Sequence, residues 1–336
     1  MLNERSSLTL IAVALLVPLS IFNLWAEAST SLKIFHAGSL SVPLKRVAEE
    51  FEEMNPEVNV QLEAHGSVLA VRQVTQVGKR GDVVAVADYS LIPSMMIPDY
   101  ADFYIQFARN EIVIAHTENS ALSGEVSKEN WYKVLADPDV RFGFSNPNMD
   151  PCGYRSLMVS QLAELHYSEV GIFDDLIVDN TDVTVKEEDG GYVLDTSEPL
   201  RPNTAKVSIR NKEVDLVSML QSGGLDYAFE YRSLAEQHGL QFVSLPEEVN
   251  LSSTEHSEAY GKVSVRTDDG DLKKAKPIVY GVTIPEGAPN PDLAREFVSF
   301  MVSEKGREIF SELGQPPIVP ARGFGEVPEG LEELVE

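Results

Sequence analysis

Apolar and polar positions alternate along the chain in blocks, and the blocks change period. The stretch LKIFHAGS reads as a buried strand running into a turn. It is followed by LSVPLKRVAEEFEEMNP, where Leu40, Leu44, Val47, Ala48 and Phe51 fall on one face at helical spacing. Asn55-Pro56 ends that helix. EVNVQLEA alternates as a strand, GSVLAVRQVTQVGKRG predicts a second helix, and DVVAVAD a third strand. The β-α-β-α-β order predicts a parallel, doubly wound sheet. FYIQFARNEIVIAHT then gives two strands in tandem with no room for a crossover helix, and there the chain is expected to enter a second domain. In that domain NWYKVLADP predicts a helix, VRFGFSNP a strand, and PCGYRSLMVSQLAELHY a long helix with Pro151 at its first position. VTVKEEDGGYVLDTS predicts a hairpin turning at Asp189-Gly190-Gly191. KEVDLVSMLQSG and RSLAEQHG predict helices on either side of the strand LDYAFEY. The segment 246–275 is expected to be a polar, irregular, mobile insertion whose Asn250-Leu251-Ser252 sequon lies in an exposed loop. KPIVYGVTIP is a long strand returning to the first domain, and NPDLAREFVSFMVSEKGREIFSELG closes the chain as helix.

The N-terminus breaks this pattern. Arg5 precedes a mostly apolar run from Leu8 to Leu24 that ends in Ala26-Glu27-Ala28, the small-x-small pattern of a secretory leader cleaved after Ala28. The competing reading is an uncleaved anchor, which Pro18 and the short run weaken. The expected organisation is therefore a leader over 1–28, a first domain of residues 29–112 with 281–336, and a second domain of residues 113–280.

Composition narrows the chemistry. The 336-residue chain is 43% hydrophobic, enough for a sizeable core, and carries a formal net charge of −26. That balance disfavours nucleic acid and anionic lipid as partners. Cys152 is the only cysteine, so no internal disulfide and no cysteine zinc site can form. The six histidines are scattered without an HxxxH spacing.

Four helix starts follow strands or turns: at Ser39, at Ser67, at Cys152 with Gly153, and at Glu213 with Val214. In a doubly wound domain such starts face the carboxyl edge of the sheet and offer free backbone N–H groups to an anion. Together they would form an oxyanion site without a lysine or arginine, although Ser39 and Ser67 also suit plain N-caps. Two carboxylates approach the same region. Asp150 precedes the Pro151 helix, where it also suits an N-cap, and Glu230 ends an apolar strand. A dianion about 4 Å from one carboxylate is opposed by roughly 8 kcal/mol at an effective dielectric of about 20, and a helix N-terminus returns at most about 2 kcal/mol. Three arrangements avoid the conflict. The carboxylates are protonated, they accept a hydrogen bond from a protonated anion such as hydrogen phosphate, or they bond to a central metal atom able to expand from four ligands to six. Molybdenum and tungsten oxyanions can do the last; sulfur and phosphorus cannot.

In order along the chain, KIFHAGSL, HGSVLAVRQV, NPNMDPCGYRS, LDYAFEYRSLAEQHGL, KPIVYGVTIP and GREIF closely resemble the substrate-binding protein of archaeal-type tungstate/molybdate ABC importers, over about residues 32–320. The resemblance implies an α/β fold of two domains, a type II-like periplasmic-binding fold with a doubly wound sheet in each domain and the ligand in the cleft between them. It implies that Ser39, Ser67 and the backbone at Cys152 hold the oxyanion, with Val214 and Tyr231 as further donors, and that Asp150 and Glu230 ligate the metal of bound tungstate or molybdate. No cofactor is expected. The implied partners are an ABC permease and its ATPase, and the implied protein is an extracytoplasmic monomer, either free or tethered by its leader, that is not an enzyme. Competing readings are a phosphate or sulfate receptor and, remotely, a secreted hydrolase using Ser39, Ser67 or Cys152, for which no GxSxG elbow is present.

Overall fold

The computed structural model describes residues 30–197 and 199–336; the expected leader, residues 1–28, lies outside them. The first lobe begins β1 (Thr30–Ala37), α1 (Ser41–Met54), β2 (Val58–His65), α2 (Ser67–Thr75), β3 (Val83–Val86), α3 (Leu91–Met95) and β4 (Phe103–Asn110). The chain then crosses into β5 (Ile112–His116), α4 (Trp131–Ala136), β6 (Phe142–Ser145), α5 (Pro151–Tyr167), α6 (Ile172–Leu176), β7 (Thr184–Glu188), β8 (Gly191–Asp195) and β9 (Val207–Arg210). It continues through α7 (Glu213–Gln221), β10 (Tyr227–Tyr231), α8 (Arg232–Gln237), β11 (Gln241–Ser244), α9 (Ser257–Tyr260), β12 (Val263–Arg266) and β13 (Leu272–Lys274). It returns as β14 (Ile278–Thr283), α10 (Pro291–Val302), α11 (Glu304–Glu312) and β15 (Pro317–Gly325).

One sheet has the order β15-β4-β14-β3-β1-β2 and a second the order β11-β5-β10-β6-β9. The expected parallel pairing holds for β1 with β2 and β3. The returning β14, however, inserts antiparallel between β3 and β4, which makes the sheet mixed. The face predicted for α1 is the buried one: Leu44, Val47, Ala48 and Phe51 join the core, with Leu40 just before the helix. Helix α5 starts at Pro151 as read from the sequence, and its residues 151–163 are all buried.

The predicted hairpin forms, with Asp189 and Gly190 both at positive φ between β7 and β8. The segment expected to be irregular is instead ordered structure. Strands β12 and β13 extend the hairpin into a four-stranded sheet, β13-β12-β8-β7, and Tyr260, Val263 and Val265 are buried. Asn250 is 2% exposed, its amide donating to Glu111 and to the Leu245 carbonyl, so the sequon is not in an exposed loop. The polar run was misleading because its few apolar residues alternate at strand spacing over only four positions. Strand β15 also went unrecognised beyond the closing helices; its two prolines and two glycines disguise an edge strand.

Candidate functional site

Strands β1, β2 and β3 present their carboxyl ends toward those of β6 and β10 across the seam between lobes. From the first lobe come Ser39, Ser67, Ala87 and Asp88; from the second come Asp150, Cys152, Arg155, Glu213, Glu230 and Tyr231. Ser39, Ser67, Asp150, Cys152, Glu213, Glu230 and Tyr231 are each at most 1% exposed, so the seam is closed over them. Val214, the second residue of α7, is half-buried.

The corners are placed by short, specific contacts. Gly66 caps α2 against the loop before α5: a Cβ there would lie 2.5 Å from the Met149 carbonyl. The Ser67 hydroxyl accepts the Ala87 N–H at 3.0 Å. Asp150 is the N-cap of α5, accepting from the Cys152 N–H at 3.2 Å, and its other oxygen accepts from the Glu213 N–H at 2.9 Å. One aspartate thereby joins the starts of α5 and α7. The Ser39 N–H donates to the Glu213 carboxyl at 2.6 Å, across the seam.

Three carboxyl groups are therefore buried in one neighbourhood. Burial first, then the charge of Asp150, raises the Glu230 carboxyl well above its ordinary range; both Glu230 oxygens lack a hydrogen-bond partner among the described residues. Burial, Asp150 and Glu230 raise Glu213 likewise. Burial and the same three carboxyls push the Cys152 thiol up, and its sulfur donates to the Phe229 carbonyl at 3.7 Å. That environment opposes a thiolate nucleophile.

A guanidinium that the sequence reading did not anticipate lies beside this group. The Arg155 Nη1 donates to the Tyr231 hydroxyl at 2.6 Å and to the Ala87 carbonyl at 2.8 Å, while Nη2 is 3.8 Å from Asp88. Tyr154 donates to Asp88 at 2.7 Å and Lys276 pairs with it at 3.1 Å. Although burial opposes it, these cations and hydrogen bonds hold the Asp88 carboxyl well below the usual carboxylate range. The available signal was an arginine on an otherwise apolar helix face and an acid ending the apolar strand VVAVAD.

A polar chain links the site to the crossing strands. Asn110 donates to Ser233 Oγ and to the Tyr280 hydroxyl, both at 2.7 Å. Tyr280 donates to Ser39 Oγ at 3.2 Å, and Gln315 donates to the Ser39 carbonyl at 2.9 Å. Among the described residues no three His, Cys, Asp or Glu side chains converge to hold a bare metal ion. What converges is three buried carboxyls, Asp150, Glu213 and Glu230, the first two accepting from the backbone N–H groups of Cys152, Glu213 and Ser39.

A family model described as bacterial extracellular solute-binding protein matches residues 32–314. The molybdate/tungstate-binding protein of Pyrococcus abyssi is 48% identical over 318 residues, covering 92% of this chain and 91% of its own. A solute-binding protein of Methanoculleus marisnigri is 49% identical over 314 residues, covering 93% and 88%. The periplasmic molybdate-binding protein of Azotobacter vinelandii has a TM-score of 0.58 at 16% identity, covering 84% of this chain and 98% of its own, a likeness of fold.

Proposed function

The chain belongs to the bacterial extracellular solute-binding protein family, and on that premise we propose that it is the capture component of an ABC importer for tungstate or molybdate. It is a binding protein and not an enzyme; the ion is its cargo and no cofactor is involved. It works outside the cytoplasm as a monomer, free or held by its leader, with lobes made of residues 29–112 plus 281–336 and of residues 113–280. It delivers cargo to a membrane permease driven by its ATPase.

The observation that carries this reading is Glu230: a fully buried carboxyl whose two oxygens have no hydrogen-bond partner among the described residues, near the charge of Asp150. Burying such groups costs free energy unless something bonds them. In this reading a six-coordinate tungsten or molybdenum takes one oxygen from Asp150 and one from Glu230. The short 3-10 turn Gly38–Leu40 and the starts of α2, α5 and α7, at Ser39, Ser67, Cys152 and Val214, supply N–H and hydroxyl donors to the oxo groups. Arg155 holds the oxygen of Tyr231 and leaves the phenolic proton to donate to an oxo group. Closure of the lobes about the strands near residues 110–116 and 277–284 then excludes water.

Isothermal titration with tungstate tests this. Asp150→Ala and Glu230→Ala should each weaken binding at least a hundredfold with the circular dichroism spectrum unchanged. X-ray absorption of the loaded protein should show six-coordinate metal; a strictly tetrahedral metal lacking carboxylate oxygen would refute the proposal, as would phosphate displacing tungstate at comparable concentration.

A further inference from the structure

Glu213 has no part in the family-derived ligand set, yet its carboxyl is the one that reaches across the seam to a backbone donor of the other lobe. Its carboxyl Oε1 accepts the Ser39 N–H at 2.6 Å. Its own N–H donates to Asp150 at 2.9 Å. A Cβ on residue 38 would lie 2.9 Å from Oε1, so Gly38 is what admits the carboxyl to that corner. Its second oxygen, Oε2, is buried with no hydrogen-bond partner among the described residues. The side chain comes from one lobe and the amide from the other, and that amide is one of the donors an oxyanion needs.

We propose that Glu213 is a specificity-determining residue: its carboxyl holds the Ser39 amide against any anion that offers only hydrogen-bond acceptors. This rests on the reading of Asp150 and Glu230 as ligands of the cargo metal. Sulfate or phosphate can take the Ser39 N–H only by displacing the Glu213 carboxyl that already accepts it, among three buried carboxyls, and gains no bond to Asp150 or Glu230 in return. Tungstate and molybdate gain two metal–oxygen bonds as Glu213 gives up the amide. Selectivity is a difference of affinities, and a built-in competitor lowers the affinity of the weaker anion to below use.

The test is titration of tungstate and of sulfate into the wild-type protein, Glu213→Ala and Glu213→Gln. Glutamine keeps the shape and an acceptor oxygen while removing the acid, so it reports even where the alanine variant folds poorly. The expected result is a tungstate-to-sulfate affinity ratio at least tenfold lower in Glu213→Ala, through a gain in sulfate binding, with a smaller drop in Glu213→Gln. An unchanged ratio in both variants overturns the inference. So does a loss of tungstate affinity with no gain for sulfate, which makes Glu213 a contact of the cargo. In either case wild-type tungstate binding shows that the function itself stands; its absence in the wild type removes both.

Discussion

Both oxygens of Glu230 are buried without a hydrogen-bond donor among the described residues, and burial raises the carboxyl well above the usual range. A folded-state value above the unfolded one means that this group favours folding below the unfolded value, about 4.3, and loses that contribution as pH rises. Glu230→Gln, neutral throughout, should therefore be more stable than the wild type at pH 8 by about 1–3 kcal/mol, a gap that closes toward pH 4 in thermal melts, while losing tungstate. Equal melting at pH 8 would show that the buried acid costs nothing. His36 works in the opposite pH sense. Burial lowers it to about 4, and its Nδ1 bonds the Ala37 carbonyl at 2.7 Å. Below its unfolded value of about 6.5 the unfolded chain binds the proton and the folded chain does not, so stability falls from pH 6.5 to 4 by up to ~3 kcal/mol. His36→Gln should flatten that slope in melts across this window.

Helix α5 carries the site because of how tightly its first turn meets the end of β6. A Cβ on Gly153 would lie 2.1 Å from the Ser145 carbonyl, a backbone atom that cannot simply rotate away. Gly153→Ala should cost about 1–3 kcal/mol of stability and weaken tungstate binding by shifting Asp150; a melt and a titration matching the wild type would contradict this. The helix itself was legible, since Pro151 marks its start and a long run free of further proline or of helix-ending signals follows to Tyr167. Asp150 was legible because an acid before a proline-led helix has a definite place in space. Glu213 was read only as a helix start, since nothing in the sequence says that a first-turn side chain bends back across a seam to another lobe's amide. Arg155 was missed for a related reason: its partners, Asp88 and Ala87, are more than sixty residues away. Strands β9 and β11 are four residues each and only partly buried, too short for a period to declare itself.

For the whole molecule, charge and closure act together on capture. The net charge of −26 repels a dianion at long range, and salt screens that field within about 8–10 Å. The association rate of tungstate in stopped-flow measurements should therefore rise with added sodium chloride between 10 and 200 mM; a falling rate would point to a local cationic funnel. If the proposed site holds the cargo, entry needs the seam to part, because Ser39, Ser67, Asp150, Cys152 and Glu230 are sealed from solvent. That parting is constrained by the junction where Asn110, Tyr280, Ser233 and Ser39 share hydroxyl and amide hydrogens. Asn110 ends the outgoing crossing strand, Tyr280 lies on the returning one, and Ser233 belongs to the second lobe. A pivot wired this way does not bend by degrees: each bond is held or exchanged, so the receptor should toggle between two defined poses, with the pose legible at Ser39 from the pivot and at the pivot from Ser39.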